Sequence, residues 1–299
     1  MTRALFITTD TNEVENHIAA WNAVSGVPAT VEVFSYTSIR NDWKFKIAAE
    51  AANPDVIFYI GACSGRGLPQ LPTLRSLRDI APVVNLVSDA ADKPWPRVLA
   101  AYRKAECFDL YVSIDGAEQP EIDLATLTPV DPAPFKMLTA ASRDIHCGFS
   151  GEIGGRRSEI LVPLSASGML TVRLRARWGG YEDHVRFLCR CRATINISIT
   201  GSGQSHHVKG RVVEAGWAGC ALFEDTESPA GDWLPEDCLV RYGDADDVAR
   251  LLRVLTEQGI AGYAERLAER VRTLYHPARI YGAILDRIDV DHTLAVEAA

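Results

Sequence analysis

The stretch richest in chemistry-bearing residues runs from Gly201 to Ser228, GSGQSHHVKGRVVEAGWAGCALFEDTES. A Gly-Ser-Gly loop (Gly201, Ser202, Gly203) after a strand lets backbone amides approach a ligand closely. A helix that follows aims its free N–H groups and positive dipole end at the loop, which suits a phosphate. The spacing predicts that helix from about His207 to Ala218, with Lys209 and Arg211 just inside it as cationic contacts to the same phosphates. Glu214 lies three residues after Arg211, where a carboxylate is suited to accept hydrogen bonds from ribose hydroxyls. His206 and His207 at the helix start are further phosphate donors. The competing reading is an ordinary amphipathic helix with solvated charges, and a Gly-x-Gly without its third glycine is no dinucleotide fingerprint.

A second anion-facing arrangement is Gly154-Gly155-Arg156-Arg157, two arginines opening a helix. In the N-terminal half the candidates are strand-end residues, because open α/β sheets bind ligands at their carboxyl edge. These are Thr9 and Asp10, the Gly61–Gly67 loop with Arg66, and Ser88-Asp89 with Asp92 and Trp95. Asp89 or Asp92 could serve as a general base on a hydroxyl; the alternative is that each caps the next helix. The D-A-A-D run is only a distant imitation of a metal-holding carboxylate pair, and the expected site holds no metal. His17, on an amphipathic helix, reads as a packing residue, and Trp178, Tyr181, Trp217 and Trp233 read as core or cleft-covering aromatics.

The elements that must position these residues follow from composition and periodicity. The 299 residues are 47% hydrophobic and 23% charged, the balance of a globular chain long enough for two domains. A net charge of −8 argues against nucleic acid as the main partner. Seven cysteines with no C-x-x-C spacing read as buried thiols of a reducing compartment, not a zinc site. The C-x-C pair Cys189 and Cys191 falls in a helix-like pattern, where residues two apart face different ways. The first residues carry too short an apolar run for a signal peptide, and no run reaches membrane-spanning length. The expectation is a cytoplasmic protein.

Short apolar runs at 3–8, 30–36, 55–60, 82–87 and 109–114 alternate with helical periodicity, the grammar of a parallel sheet covered on both faces. Thr128 to Phe135, with three prolines in six residues, suits an extended linker. The pattern then restarts, with strands predicted at 144–150, 170–174, 193–199, 220–223 and 238–242 and helices from 156, 184, 244, 262 and 277. The reading is two Rossmann-like α/β domains, 1–135 and 136–299, the second ending in helices that close back over the first.

The run Lys209-Gly210-Arg211-Val212-Val213-Glu214-Ala215-Gly216-Trp217-Ala218-Gly219 resembles the "R/K-x-x-E-A-x-A-x-G" segment of GT-B glycosyltransferases. It is most similar to the CgeB-type (spore maturation protein-like) group. Val240-Arg241-Tyr242 with the helix after Asp244, Tyr275-His276-Pro277-Ala278-Arg279, and Asp144 to Arg157 resemble further segments of that group. The likeness covers about half the chain well and the N-terminal half loosely. It implies GT-B architecture, with a C-terminal half that binds a nucleotide-diphosphate sugar and an N-terminal half that binds an acceptor the sequence does not identify. It also implies that Glu214 grips the ribose, that the loop amides hold the diphosphate, that a basic residue near Arg157 stabilises the leaving group in place of a metal, and that Asp89 or Asp92 matches an acidic position after the fourth strand. The chain departs from the pattern at His206, where the broader retaining families carry a second glutamate. No cofactor beyond the donor is expected. The alternatives are a nucleotide-sugar binder without turnover and a Rossmann-type NAD(P) oxidoreductase; oligomeric state is left open.

Overall fold

The computed structural model describes residues 1–9, 14–38, 40–138, 142–177, 179–199, 203 and 205–295. The chain forms two compact units, Met1–Asp131 with His276–Ala299, and Pro132–Tyr275.

In the first unit the strands β1 (Ala4–Thr9), β2 (Thr30–Phe34), β3 (Val56–Ile60), β4 (Val83–Val87), β5 (Leu110–Ser113) and β6 (Leu124–Ala125) form one sheet in the order β2-β1-β3-β4-β5-β6. Every pairing is parallel. The mostly apolar, wholly buried runs of β1, β3 and β4, broken only by Thr8, Thr9 and Asn85, are what burial on both faces demands. Leu5, Ile7, Ile57 and Tyr59 pack one face against α2 (Trp43–Ala52), α3 (Leu71–Leu77) and α4 (Pro94–Lys104). On the other face Phe6 and Phe58 meet Trp21 of α1 (Val14–Ser25) and Tyr281 of the C-terminal helix Pro277–Asp286. Tyr281 also donates to the His17 carbonyl at 2.8 Å. That face is where His17 is buried, as a packing residue.

The second unit opens with α5 (Ala133–Leu138), which takes up the last three residues of the segment expected to be an extended linker, Thr128 to Phe135. Proline is tolerated in a first helical turn, where its missing N–H has no partner to lose, so Pro134 starts a helix instead of preventing one. Next come β7 (Ile145–Gly151), α6 (Arg156–Ala166), β8 (Thr171–Leu174), α7 (Tyr181–Arg190), β9 (Cys191–Asn196), α8 (Gly210–Ala218), β10 (Ala221–Asp225) and β11 (Leu239–Tyr242). The helices α9 (Ala245–Val254) and α10 (Glu257–Leu274) end the unit, and Pro277–Asp286 is α11. The sheet order is β11-β10-β9-β7-β8, again wholly parallel. Phe149, Ile195 and Phe223 pack toward α6, α9 and the start of α10. Cys189 closes α7 while Cys191 opens β9, so the C-x-C pair spans two elements; all seven cysteines are free thiols.

Two expectations shift in register. Helix α8 starts at Gly210, not near His207, and Lys209 is its N-cap in extended conformation instead of an internal residue. The short elements α3 and β6 fall where no helix or strand was expected.

Both sheets share one logic. In each, the first strand is flanked by the second on one side and the third on the other, which creates a switch point at β1/β3 and at β7/β9. Open α/β sheets bind ligands outside the carboxyl ends of strands at such points.

Candidate functional site

In the second unit the switch point lies beyond Ser150–Gly151 of β7 and Asn196 of β9. Each strand of a parallel βαβ unit delivers its chain to a helix start at the carboxyl edge. The N-termini of α6, α7 and α8 therefore gather there with their free amides and positive dipole ends.

Glu214 sits in the second turn of α8, and its side chain is 12% exposed. Tyr181, the first residue of α7, donates from its hydroxyl to Glu214 Oε1 at 2.9 Å, and His184 Nε2 meets Oε2 at 3.1 Å. Burial pushes the carboxyl up. The His184 charge and hydrogen bond, the Arg211 charge and the Tyr181 hydrogen bond outweigh it, holding Glu214 ionised with a pKa of about 2. One turn earlier Arg211 lies over the Phe149 ring at 5.0 Å and donates to the Ser150 carbonyl. Burial lowers the Arg211 pKa to about 10; the Glu214 charge opposes this, while Arg157 and Arg175 push further down. Gly151, at φ 153°, leaves room for this guanidinium, because a Cβ there would stand 3.1 Å from Arg211 Nη2.

Deeper in the edge, Asn196 Nδ2 donates to both oxygens of Glu224 at 2.9 Å. Glu224 is fully buried, and desolvation raises its pKa to about 7 despite the hydrogen bonds from Ser228 and Asn196 and the charge of Arg241. The two glutamates at this edge are thus driven in opposite directions by their surroundings. Ser150 Oγ, Asn196 Oδ1 and Asp225 Oδ2 are buried without a hydrogen-bond partner among the described residues. An unmet buried polar atom costs about 1–3 kcal/mol, and these three stand at the carboxyl ends of three adjacent strands, where a polar ligand would satisfy them.

At α6, Arg156 ion-pairs with buried Asp225 at 3.2 Å and also with Glu227. His206 Nδ1 lies 2.7 Å from Ser198 Oγ, and its Nε2 lies 3.3 Å from Glu227 Oε2. His206, Asp225 and Glu227 bring three ligand-capable atoms within 4.8 Å of one another, and the Arg156 guanidinium pairs with both carboxylates. Arg157 Nη1 donates weakly to the Glu152 carbonyl at 3.4 Å.

The residues picked out in the sequence fall as follows. Arg157, His206, His207, Lys209, Arg211 and Glu214 all belong to the second unit; the Arg211 charge couples to Glu214 and Arg157. His207 is buried, and its N–H donates to the Ser198 carbonyl at 3.1 Å. Gly203 is exposed with φ 71°. Gly201 and Ser202 lie outside the described residues, as do Asp10 and Trp178. Asp89 and Asp92 follow β4 in the first unit. Neither occupies the cap position of α4, which is Lys93. Asp89 has φ 52°, and its carbonyl accepts from the Asp92 N–H at 2.8 Å. Sequence reasoning missed His184, Arg175 and Asn196, and read Tyr181 only as a core or cleft-covering aromatic. The signal available was the Tyr-x-x-His spacing, which puts both side chains on one face of α7.

The family model described as "Glycosyl transferase-like" matches residues 137–286. The chain belongs to this family of glycosyltransferases, and its two Rossmann-like parallel sheets have the GT-B arrangement of elements. Solved structures of similar fold include HepE (Alr3699) of Anabaena in complex with UDP-glucose, 13% identical, TM-score 0.62, covering 97% of this chain and 100% of that one. A UDP-forming α,α-trehalose-phosphate synthase of Burkholderia vietnamiensis is 9% identical with a TM-score of 0.61, covering 96% of this chain and 100% of that one. Sucrose-phosphate synthase of Thermosynechococcus elongatus is 10% identical with a TM-score of 0.56, covering 97% and 99%. Comparison with curated proteins gives no match. No helix among the described residues is long and apolar enough to cross a membrane.

Proposed function

We propose that this chain is a metal-independent glycosyltransferase that takes a sugar from a nucleoside diphosphate donor held by the second unit and passes it to an acceptor hydroxyl. The observation that carries the reading is the ionised, largely buried Glu214 set beside Arg211 at the β7/β9 edge. Carboxylate and guanidinium match the two halves of a nucleoside diphosphate, hydroxyl donors on the ribose and negative charge on the phosphates.

Breaking the glycosidic bond to the diphosphate leaves charge on the departing phosphate. Preorganised cations and helix N-termini stabilise charge as it develops, usually the largest single contribution to catalysis of this kind. Arg157, Lys209, the start of α8 and the Gly201–Gly203 loop are assigned this role, with His206 and His207 as further donors. Asp89 or Asp92 is assigned the acceptor's proton in an inverting transfer. The CgeB-type grouping belongs to the same proposal and rests on the quoted sequence segments. The neighbour solved with UDP-glucose makes uridine donors the first to try.

The test is release of UDP from UDP-glucose, followed with and without EDTA. Turnover indifferent to EDTA and lowered at least about ten-fold in kcat/KM by Glu214→Ala is expected, since one hydrogen bond to a charged group is worth about 1.5–3 kcal/mol. Turnover abolished by EDTA and restored by a divalent cation would overturn the metal-independent assignment.

A further inference from the structure

Glu214 accepts one hydrogen bond on each carboxylate oxygen, from two residues of another helix. Tyr181 and His184 sit three apart at the start of α7, so both point from one face. His184, on α7, is 2% exposed and reaches Glu214 Oε2 of α8 at 3.1 Å. An ionised carboxylate has about four lone-pair sites. The structure records no other hydrogen bond to Glu214 among the described residues, so each oxygen keeps an accepting site.

The terminal torsion of a glutamate is broad and roughly two-fold. A free carboxylate turns to meet whatever single donor approaches. Pinning Oε1 and Oε2 separately fixes the plane of the group, and with it the directions of the two remaining lone pairs. Two fixed acceptors side by side fit two neighbouring hydroxyl donors, the vicinal diol of a ribose. They fit a sugar lacking those hydroxyls badly, because the acceptors are then desolvated and unpaired.

We infer that Tyr181 and His184 are positioning residues that make the site selective for a ribose diol over a deoxyribose. The inference rests on the nucleoside diphosphate reading above. Neither side chain touches the donor in this account; both act through Glu214. A hydrogen bond that orients a ligand-holding group in this way matters nearly as much as the group itself.

The test compares the Kd of UDP with that of 2′,3′-dideoxy-UDP by calorimetry, for the wild type, Tyr181→Phe/His184→Ala, and Tyr181→Phe/His184→Gln. The wild type is expected to favour UDP by at least about 30-fold, from two lost hydrogen bonds to a charged acceptor. In the Tyr181→Phe/His184→Ala variant the preference should shrink to about three-fold or less, through weaker UDP binding at an unchanged dideoxy Kd. Glutamine at 184 keeps an N–H donor and should recover part of the preference. A variant that loses both ligands equally would show a merely structural role and overturn the inference. So would a variant that binds UDP with the wild-type preference intact. If wild-type protein binds none of UDP, ADP and GDP, the nucleoside diphosphate reading fails and the inference falls with it.

Discussion

Two glutamates ten residues apart in sequence carry opposite electrostatic fates. Glu214 is drawn to about 2 by His184, Arg211 and Tyr181 in spite of its burial, whereas Glu224 is left near 7 because burial wins. Such divergence between two buried carboxylates at one sheet edge is what singles the edge out as a candidate site. It also fixes a sign. Glu224 has a pKa raised above its ordinary 4.5, so its contribution to stability is full below about 4.5 and is lost as pH rises through about 7. Glu224→Gln removes that titration while keeping an acceptor for Asn196. Urea unfolding at pH 5 and pH 8 should show the variant gaining on the wild type by about 2–3 kcal/mol at the higher pH. An equal difference at both values would mean that Glu224 titrates normally. The pair's ends were legible unequally in the sequence. Glu214 stood out through its spacing from Arg211, but its partners Tyr181 and His184 are 33 and 30 residues away and come together only when α7 and α8 pack.

At the scale of elements, the placing of α8 decides where Arg211 and Glu214 point. Its C-terminal half lies against α10 with Gly216 at the contact, where a Cβ would stand 2.4 Å from Val271 Cγ2. Helix propensity alone would favour alanine there by about 1 kcal/mol, but overpacking a close helix contact costs about 1–3 kcal/mol. Gly216→Ala is expected to lower the unfolding free energy, and weaken nucleotide binding, by displacing the start of α8. A variant more stable than wild type in urea would show that α10 yields instead. The strands were readable because burial on both faces leaves continuous or nearly continuous apolar runs, as in VIFYI and, with Asn85 as its one polar residue, VVNLV. Helix starts were less so. Lys209 adopts φ −69° and ψ 148° with no side-chain cap, and nothing in its residue type announces that the helix waits until Gly210. The linker expected over 128–135 holds for 128–132 and gives way to α5 at Ala133 for a related reason. Proline counts as a breaker inside a helix but is at home in its first turn, and Pro134 lies in the first turn of α5.

For the whole molecule, the first five strands of each unit follow the same order, which composition and alternation sufficed to class as Rossmann-like while the site did not emerge as fully. Periodicity reports which residues are buried. It does not report which strand lies next to which, and so the β7/β9 switch point, with Ser150 and Asn196 at its edges, is visible only in the folded chain. A net charge of −8 likewise conceals the local concentration of Arg156, Arg157, Arg175 and Arg211 near one sheet edge, as a cleft can oppose the sign of the whole protein. The central claim is that this edge binds a nucleoside diphosphate through Glu214. Calorimetric titration of wild type and Glu214→Ala with UDP, GDP, dTDP, CMP and NADPH tests it most directly. At least one diphosphate should bind the wild type, and Glu214→Ala should weaken it by about 10- to 100-fold. Binding of NADPH alone, or diphosphate binding untouched by Glu214→Ala, would contradict it.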